Sequence, residues 1–392
     1  MRKGWEYKKL GEVATFINGD RGKNYPSAKD FVESGVPFIN AGHLNNGIIS
    51  YDKMNYITIN KYNSLGSGKI IKNDILFCLR GSLGKYAIVA EDSMGAIASS
   101  LVIIRPFQNA DNRFIAHFLS SAKIKEYIAK NNNGSSQPNL SAKSVASFII
   151  PLPTLSTQLA IVSELDKINE LIRLKKEQLK DFDNLAQSLF YEMFGDPVEN
   201  EKGWEVKTFG EIGSVERGAG ISKKDFVKEG LPCIHYGQLH TILGPRTTKH
   251  FTSIPHNLLP KYKIAHTGDL VMAITSEDVE GSCKSTVWLG DYDIIVGSDA
   301  AIFHHKQDGT FLSYYTMTKA FFNEKAKYAK GFKVTHISAK EIEKIPVYLP
   351  PLPLQRLFAQ RIEQIEREKS EVQKSIQDLE TLLASRMQYW FE

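Results

Sequence analysis

The sequence predicts an α+β protein in which two similar α/β domains are joined by two long antiparallel coiled-coil helices, a dumbbell with pseudo-twofold symmetry. Three observations predict this fold class. The chain repeats itself with an offset near 197 residues, each copy ends in four to five heptads, and β-rich runs separated by Gly, Asn and Asp turns precede each heptad stretch. The expected domains are residues 1–154 and 197–351, and the expected coiled-coil helices are residues 155–196 and 352–392.

The repetition consists of short matched segments that bracket a variable middle. The matched segments are Gly-Trp-Glu at 4–6 and 203–205, Val/Leu-Pro-x-Ile at 36–39 and 231–234, Ser-Ala-Lys at 141–143 and 338–340, and Leu-Pro with a following Gln at 152–158 and 349–355. Because the matched segments agree while the residues between them differ, we interpret the chain as two copies of one scaffold that present different surfaces.

Each copy carries the same order of predicted elements. Runs rich in β-formers, including 98–104 and 293–303, come first, and an amphipathic helix follows at 114–119 or 311–315. A polar loop and a proline-punctuated link then lead into the long helix, since proline suits the first turn of a helix.

The heptad stretches are the clearest helix prediction, because they contain no internal Gly or Pro and their flanking positions are crowded with Glu, Lys, Arg and Gln. Two equivalent helices in one chain can satisfy each other's apolar stripes. The predicted seam residues are Ile161, Leu165, Ile168, Ile172 and Leu179 in the first helix, and Ile362, Ile365, Val372, Ile376 and Leu379 in the second.

Composition excludes several classes of protein. The 392 residues are 42% hydrophobic and 24% charged, which excludes a disordered chain, and the three cysteines have no CxxC spacing, which excludes a disulfide framework and a zinc ribbon. No run of 18 apolar residues occurs, so we expect a cytoplasmic protein without a membrane span. Residues 1–155 hold 19 Lys and Arg against 11 Asp and Glu, whereas residues 197–352 hold 19 against 18. A basic first block suits a polyanion-binding surface.

Catalytic signatures are missing from the sequence. Gly218-Ala-Gly220 lacks the third glycine of a dinucleotide fingerprint, Gly22-Lys23 lacks the flanking residues of a phosphate-binding loop, and His304-His305 has no second ligand cluster. We therefore expect no catalytic residues and no metal site.

The variable segments instead offer hydrogen-bonding and basic residues suited to DNA. Two basic Gly-containing loops occupy corresponding places, and Arg and Lys there suit phosphate, whereas Asn, Gln and His suit base edges. The candidate DNA-binding residues of the first copy are Arg21, Lys23, Asn24, Tyr25, Asn40, His43, Asn45, Arg80, Ser136, Gln137 and Asn139. Those of the second copy are Arg217, Ser222, Lys223, Lys224, His235, Tyr236, Gln238, His240, Lys333, Thr335 and His336.

Taken together, these motifs resemble the specificity subunits of Type I restriction–modification enzymes. The resemblance covers essentially the whole chain and includes the amino-acid sequences of the basic loops at 18–26 and 217–225. It implies that each domain is a target-recognition domain reading one half of a bipartite double-stranded DNA site. It also implies that the helices set the length of the spacer, the unspecified DNA between the two half-sites, and that they dock two modification (methyltransferase) subunits. Restriction subunits would join the complex as well. Adenosylmethionine, ATP and magnesium would then belong to the partner subunits only.

Two other functions remain open at this point. A coiled-coil adaptor would share the helices but leave the basic loops unexplained, and salt-dependent DNA binding would separate it from a DNA reader. A stand-alone DNA-modifying enzyme would need a cofactor loop or an acid cluster, and a cofactor-binding measurement on the pure chain would reveal it.

Overall fold

A computed structural model describes residues 2, 4–45, 47–131, 138–256, 262–331 and 334–392. The chain divides into two compact units. The first unit comprises Met1–Lys176 and Lys374–Glu392, and the second comprises Glu177–Gln373. Each unit therefore contains one globular copy together with a segment of both long helices. In the described part of the chain, every helix is too short or too polar to cross a lipid bilayer.

In its described residues, the first globular copy contains twelve short strands and four helices. In chain order the strands are β1 (Glu6–Lys9), β2 (Ala14–Asn18), β3 (Phe31–Val32), β4 (Val36–Ile39), β5 (Leu44–Asn45), β6 (Ile48–Ile49), β7 (Tyr56–Ile57), β8 (Ile75–Cys78), β9 (Tyr86–Ile88), β10 (Ala96–Ile97), β11 (Leu101–Pro106) and β12 (Ile149–Leu152). The helices are α1 (Ile59–Ser64), α2 (Asn112–Ser120), α3 (Ala122–Asn131) and α4 (Ala142–Ala146), and the first long helix, α5 (Leu155–Phe194), follows.

The second globular copy has a matching set of elements. Its strands are β13 (Glu205–Thr208), β14 (Gly213–Arg217), β15 (Leu231–Ile234), β16 (Arg246–Thr247), β17 (Thr252–Ile254), β18 (Lys263–Ala265), β19 (Leu270–Ala273), β20 (Thr275–Ser276), β21 (Ser285–Trp288), β22 (Ile294–Val296), β23 (Ala300–His305), β24 (Thr335–His336) and β25 (Pro346–Leu349). Its helices are α6 (Phe209–Ile212), α7 (Tyr236–Thr241), α8 (Gly309–Tyr315), α9 (Lys319–Ala326) and α10 (Ala339–Ile342), and the second long helix is α11 (Leu352–Phe391).

The two copies share their strand pairing as well as their element order. The main sheet runs β2-β11-β8-β9 in the first unit and β14-β23-β19-β21-β16 in the second. In both units the Val/Leu-Pro strand pairs in parallel with a later strand, β4 with β10 and β15 with β22. The first strand of each copy pairs antiparallel with the strand before the long helix, β1 with β12 and β13 with β25. The repeat in the sequence is therefore a repeat of topology.

The predicted β-rich runs are strands, with one difference. The run at 293–303 divides into β22 and β23, because the chain turns at residues 297–299 between two different sheets. The corresponding run in the first unit likewise changes sheet between β10 and β11. Periodicity did not show this break, since both segments are buried and apolar on each side of the turn.

A buried glutamine joins each globular copy to its long helix. Gln158 is fully buried, its Oε1 accepts the Asp111 backbone N–H at 2.9 Å, and its Nε2 donates to the Pro153 carbonyl at 2.9 Å. Gln355 repeats this arrangement in the second unit with Asp308 (3.0 Å) and Pro350 (2.8 Å). Because each Asp also caps the following short helix, the glutamine fixes the start of the long helix against the globular copy.

Segments of α5 and α11 run antiparallel within each unit. In the first unit Glu164 pairs with Arg386 and Lys176 with Glu380 (2.8 Å). In the second unit Lys369 pairs with Asp183 at 2.7 Å, and Phe190 contacts Phe358 with ring centroids 5.6 Å apart. The predicted seam residues Ile161, Leu165, Ile168, Ile172, Ile362, Ile365, Val372 and Ile376 are buried, whereas Leu179 and Leu379 are half-buried.

Each helix end completes the core of the unit that contains it. In the first unit Phe391 packs against Phe114 and Phe118, with ring centroids 5.3 and 5.8 Å away. In the second unit Phe194 packs against Phe311 and Phe358 at 4.9 and 5.3 Å. The amphipathic helices α2 and α8 thus bury their aromatic faces against the ends of the long helices.

Candidate nucleic-acid interface

An arginine in each unit donates to an equivalent backbone carbonyl, but from a different position: Arg21 lies in the loop after β2, whereas Arg217 is the last residue of β14 and corresponds in register to Asn18. Arg21 Nη2 donates to the Ser99 carbonyl at 3.2 Å, and Arg217 Nε donates to the Ser298 carbonyl at 3.0 Å. Both side chains are exposed. Arg217 Nη2 also lies 4.0 Å from Asp299 Oδ1. Because a guanidinium has five N–H groups, these contacts fix its position while donors remain for a ligand. Such a fork suits phosphate oxygens.

The rest of the first basic loop is braced by neutral contacts and by one carboxylate. Asp20 accepts the backbone N–H groups of Gly22 and Gly66, both at 2.8 Å, and these bonds lower the pKa of its carboxyl. Asn24 Nδ2 donates to the Ser64 carbonyl at 2.8 Å, and Tyr25 packs edge-on against Phe38. Asn24 and Tyr25 are therefore half-buried supports, whereas Lys23 is exposed.

The second basic loop places two exposed lysines on a short capped turn. Ser222 donates its backbone N–H to Asp225 Oδ2 at 2.7 Å, and its Oγ accepts the Lys224 N–H at 3.3 Å. The bonds from Ser222 lower the pKa of Asp225, so the turn carries a carboxylate that is already satisfied. Lys223 and Lys224 extend the positive charge beside Arg217 in the sequence.

The polar residues after β4 and β15 form the same hydrogen-bonded box with different side chains. In the first unit Asn40 Oδ1 accepts the Gly42 N–H at 2.8 Å, and His43 Nδ1 accepts the Asn40 N–H at 3.1 Å. In the second unit His235 Nδ1 accepts the Gly237 N–H at 3.2 Å, and Gln238 Oε1 accepts the His235 N–H at 2.8 Å.

These boxes give the predicted base-reading positions a structural role. His43, His235 and Gln238 are buried, and burial lowers the pKa of His235. The bonds cap short helices, which fixes the backbone of the loop. The boxes leave Asn40 Nδ2 and His235 Nε2 unused. Asn45, in the two-residue strand β5, is exposed.

The polar loop before each proline link docks on the loop after a central strand. Arg80 and Asn139 form an isolated antiparallel bridge, and Arg80 Nε donates to Asn139 Oδ1 at 3.3 Å. In the second unit β24, which contains Thr335 and His336, pairs with β20, and His336 Nδ1 lies 3.3 Å from Thr275 Oγ1. Thr335 is buried. The candidates Ser136, Gln137 and Lys333 lie outside the described residues.

A groove of about 1470 Å³ in the second unit collects several of the predicted residues. Its lining includes Lys223, His235, Tyr236, Gln238 and His240, which the sequence had placed in two separate segments. The half-buried Tyr236 and His240 stack edge-on at 6.1 Å. Lysines, imidazoles and an amide around one concavity are suited to a ligand that carries both phosphates and hydrogen-bonding bases.

Sequence reasoning missed other residues of the same groove. These are Thr275, Glu277, Lys284, Lys319 and Phe322. Most lie in or beside the connection between β19 and β21. A signal was available there, because the offset between the copies changes from 195 residues at Asp74 and Asp269 to 199 at Lys85 and Lys284, whose carbonyls accept equivalent hairpin bonds.

The described part of the chain contains no group of three or more His, Cys, Asp or Glu side chains arranged to hold a metal ion. The side chains that the two units present are donors and acceptors held by their own loops. What this arrangement can do is bind phosphates and discriminate hydrogen-bonding patterns.

Comparison with known proteins agrees with this interpretation. A family model described as "Type I restriction modification DNA specificity domain" matches residues 2–181 and again residues 201–381. The two matches cover the two copies that the sequence repeat defines.

Similar proteins and structures align over nearly the whole chain. The Type I restriction enzyme MjaVIII specificity subunit of Methanocaldococcus jannaschii is 23% identical and aligns with 97% of this chain and 92% of its own length. A chain from a study of complex assembly and conformational transition of the type I R-M system superposes with a TM-score of 0.64 at 21% identity, covering 99% of this chain and 97% of that chain. The Type-I restriction-modification S subunit from M. genitalium gives a TM-score of 0.54 at 13% identity, covering 99% and 96%.

Proposed function

This chain belongs to the family of Type I restriction–modification DNA specificity domains, and from that premise we propose that it is the non-catalytic subunit that selects the DNA target of a Type I restriction–modification complex. Each unit recognises one part of a bipartite double-stranded site. The observation that carries the proposal is that each unit holds an exposed arginine on an equivalent serine carbonyl, Arg21 on Ser99 and Arg217 on Ser298, beside a different set of polar side chains. An arginine contact to phosphate in each unit is thereby combined with different base contacts.

The electrostatic part of recognition is assigned to exposed cations. Arg21 and Lys23 in the first unit, and Arg217, Lys223 and Lys224 in the second, hold the phosphate backbone and release counterions. This contribution is independent of sequence. Selection among bases belongs to the polar side chains of the groove in the second unit and of the corresponding loops in the first.

Modification subunits supply the chemistry, and we propose that two of them dock on the long helices. In the first unit Leu159 and Leu171 on α5 are 43% and 48% exposed and line a hollow of about 720 Å³ together with Arg113 and Asp166. Exposed leucines rimmed by charged residues are typical of a protein–protein contact. Restriction subunits would join through these partners, and adenosylmethionine, ATP and magnesium would bind to the partner subunits.

The test of the DNA-reading function uses the chain together with its modification subunits on a random-sequence duplex library. Methylated molecules should share a bipartite motif, and duplex affinity should fall steeply between low and physiological salt. Arg21→Ala and Arg217→Ala should each weaken binding to all sequences and reduce the salt slope by about one unit. Lys207→Ala, at a lysine of β13 paired with Glu205 outside the long helices and the groove, is the control and should leave both unchanged. Affinity that is independent of salt, or methylation without a motif, would refute the proposal.

The docking surface is tested separately. Leu159→Glu and Leu171→Glu should abolish co-purification of modification subunits without altering the melting temperature of the chain, since both side chains are exposed. Ile48→Glu, at a residue that is 69% exposed and lies outside the long helices, should co-purify normally. Retention of the partners by both leucine variants would show that they dock elsewhere.

A further inference from the structure

The two units differ in one hairpin of the main sheet. In the first unit the Cys78 N–H donates to the Lys85 carbonyl, which closes a connection of residues 79–84. In the second unit the Ala273 N–H donates to the Lys284 carbonyl and closes a connection of residues 274–283. The closing pairs are equivalent in register, so the second hairpin is four residues longer within the same frame. We call residues 274–283 the long hairpin loop.

The long hairpin loop lines the groove of the second unit. Thr275, Ser276, Glu277, Asp278 and Glu280 all contribute to the lining that also includes His235 and His240. The loop carries three carboxylates and, between residues 274 and 283, no Lys or Arg. A loop of this charge is repelled by phosphates, so a contribution to DNA recognition would come through hydrogen bonds to bases rather than through general affinity.

A buried lysine holds this loop in place. Lys325, on α9, is only 4% exposed, and its Nζ donates to the backbone carbonyls of Glu280 (2.8 Å) and Ser282 (2.5 Å). Burial lowers the pKa of its ammonium group. Burying a cation costs free energy that well-formed hydrogen bonds offset, and here the two bonds from Lys325 connect α9 to the loop.

The first unit shows what that position contains when the loop is short. The residue that corresponds to Lys325 at the offset of 197 is Ile128, on the equivalent helix α3. Its Cδ1 lies 3.0 Å from where a Cβ on Gly84 would stand, so it packs directly on the short connection. An apolar contact is sufficient there, whereas the longer loop has two carbonyls that require a donor.

Other contacts make the long hairpin loop a defined structure. At the start of the loop, the Thr275 carbonyl lies 3.1 Å from His240 Nε2. In the turn of the loop, Asp278 Oδ1 accepts the Gly281 N–H at 2.6 Å. Cys283 adopts a left-handed φ of 56° at its end. Such backbone is uncommon for a residue with a side chain and persists where surrounding contacts impose it.

We propose that the long hairpin loop is the element that selects bases in the DNA half-site read by the second unit, and that Lys325 is the positioning residue that holds it in the groove. The inference rests on the proposed function and names the part of the groove that determines specificity. The first unit, with its short connection, must make the corresponding selection with other loops.

The experiment replaces the loop with its own counterpart. In one variant residues 274–283 are exchanged for residues 79–84, with Lys325→Ile added to match Ile128; in the other, Lys325→Met stands alone. Each is assembled with modification subunits and used to methylate a random duplex library. In both variants we expect the first half-site to be unchanged and preference at one or more positions of the second half-site to fall at least tenfold. Non-specific duplex affinity should stay within about twofold of the parent in Lys325→Met, and it should not fall in the exchange variant, which loses three carboxylates and gains Arg80.

Lys319→Met is the matched control, since Lys319 lies on the same helix and lines the same groove but is exposed. It should weaken cognate and non-specific binding equally. A folded exchange variant that still reads the parental second half-site would overturn the inference. So would an equal loss for all sequences in Lys325→Met, which marks a merely structural role. If the parent complex itself shows no bipartite motif, the proposed function has failed instead.

Discussion

At the scale of single residues, the same position serves the fold in both copies with different chemistry. The box formed by Asn40 and His43 is repeated by His235 and Gln238, with the acceptor atoms in the same places. The sequence predicts that these polar residues read base edges, and this stays a prediction; the structure shows that they form hydrogen bonds within their own loops. Which of their atoms are committed to the backbone could not be predicted, because it depends on the turn geometry rather than on residue type.

Asn40→Ala should therefore destabilise the first unit as well as affect DNA recognition. Loss of the bond from the Gly42 N–H should lower the free energy of unfolding by about 1 kcal/mol, the usual effect of removing a helix cap. Urea denaturation of the isolated chain measures this. Asn45→Ala, at an exposed residue of the same segment, should change stability by less than about 0.5 kcal/mol. Equal stability of both variants would contradict the capping role.

A second prediction at this scale concerns acid. The ammonium of Lys330, followed by the N–H and hydroxyl of Ser338, lowers the pKa of Glu341 from 4.5 to about 2. Because the folded-state pKa lies below the unfolded value, the stabilisation is complete above about pH 5 and is lost as the pH falls toward 2.

Glu341→Gln should accordingly lower the stability of the second unit at pH 7 and flatten its decline between pH 5 and pH 2. The corresponding residue in the first unit is Ser144, whose N–H is bonded to Ser141 Oγ at 2.9 Å without a carboxylate. Ser144→Ala is thus the control, and it should leave the acid profile as it is. Thermal unfolding across this pH range distinguishes the two variants. Parallel stability profiles for the parent and Glu341→Gln would disprove that Glu341 contributes to the decline in acid.

At the scale of elements, the long helices were the most predictable part of the chain. Their apolar positions recur with a fixed period and their starts are marked by proline, so residue spacing alone defines them, and α5 and α11 each contain 40 residues. Strand boundaries were less predictable. The break between β22 and β23 depends on which sheet each strand joins, and the long hairpin loop depends on Lys325, 42 or more residues along the chain.

The helices also yield a prediction about the DNA target. Each is about 60 Å long at 1.5 Å per residue, and we expect this length to determine the unspecified gap between the half-sites. Inserting one heptad into both helices keeps the apolar stripe on one face and should lengthen the gap by at most about three base pairs. Library methylation with modification subunits measures the gap. Recovery of the original gap by a folded variant would show that the helices do not set it, and four-residue insertions should instead reduce stability.

At the scale of the whole molecule, the duplication predicts that the two halves are separable in function. The segments that agree between the copies bracket the variable blocks, and each block folds within its own unit. Charge is distributed unevenly, since the first block is strongly basic and the second is nearly neutral. In the second unit lysines line the groove together with Glu277 and Asp278, so charges of both signs share its lining.

Exchanging residues 203–330 for the equivalent block of a relative should consequently change one half-site and preserve the other. The readout is the methylated motif of the chimaera with its modification subunits, and a cooperative melt shows that it is folded. The reciprocal exchange in the first copy serves as the control and should alter the opposite half-site. Loss of both preferences in a folded chimaera would show that the units do not read independently.

The division of the chain between the units has a consequence for synthesis on the ribosome. The second unit is one continuous stretch, whereas the first needs Lys374–Glu392, and with it the Phe391 ring that packs on Phe114 and Phe118. The first copy therefore keeps an apolar face exposed until the last turns of α11 have been translated. The second unit, although its globular copy is translated later, has all of its residues before the first unit does. Nascent chains in which translation is arrested before Lys374 should consequently bind chaperones and be cleaved by proteases more readily than the full chain.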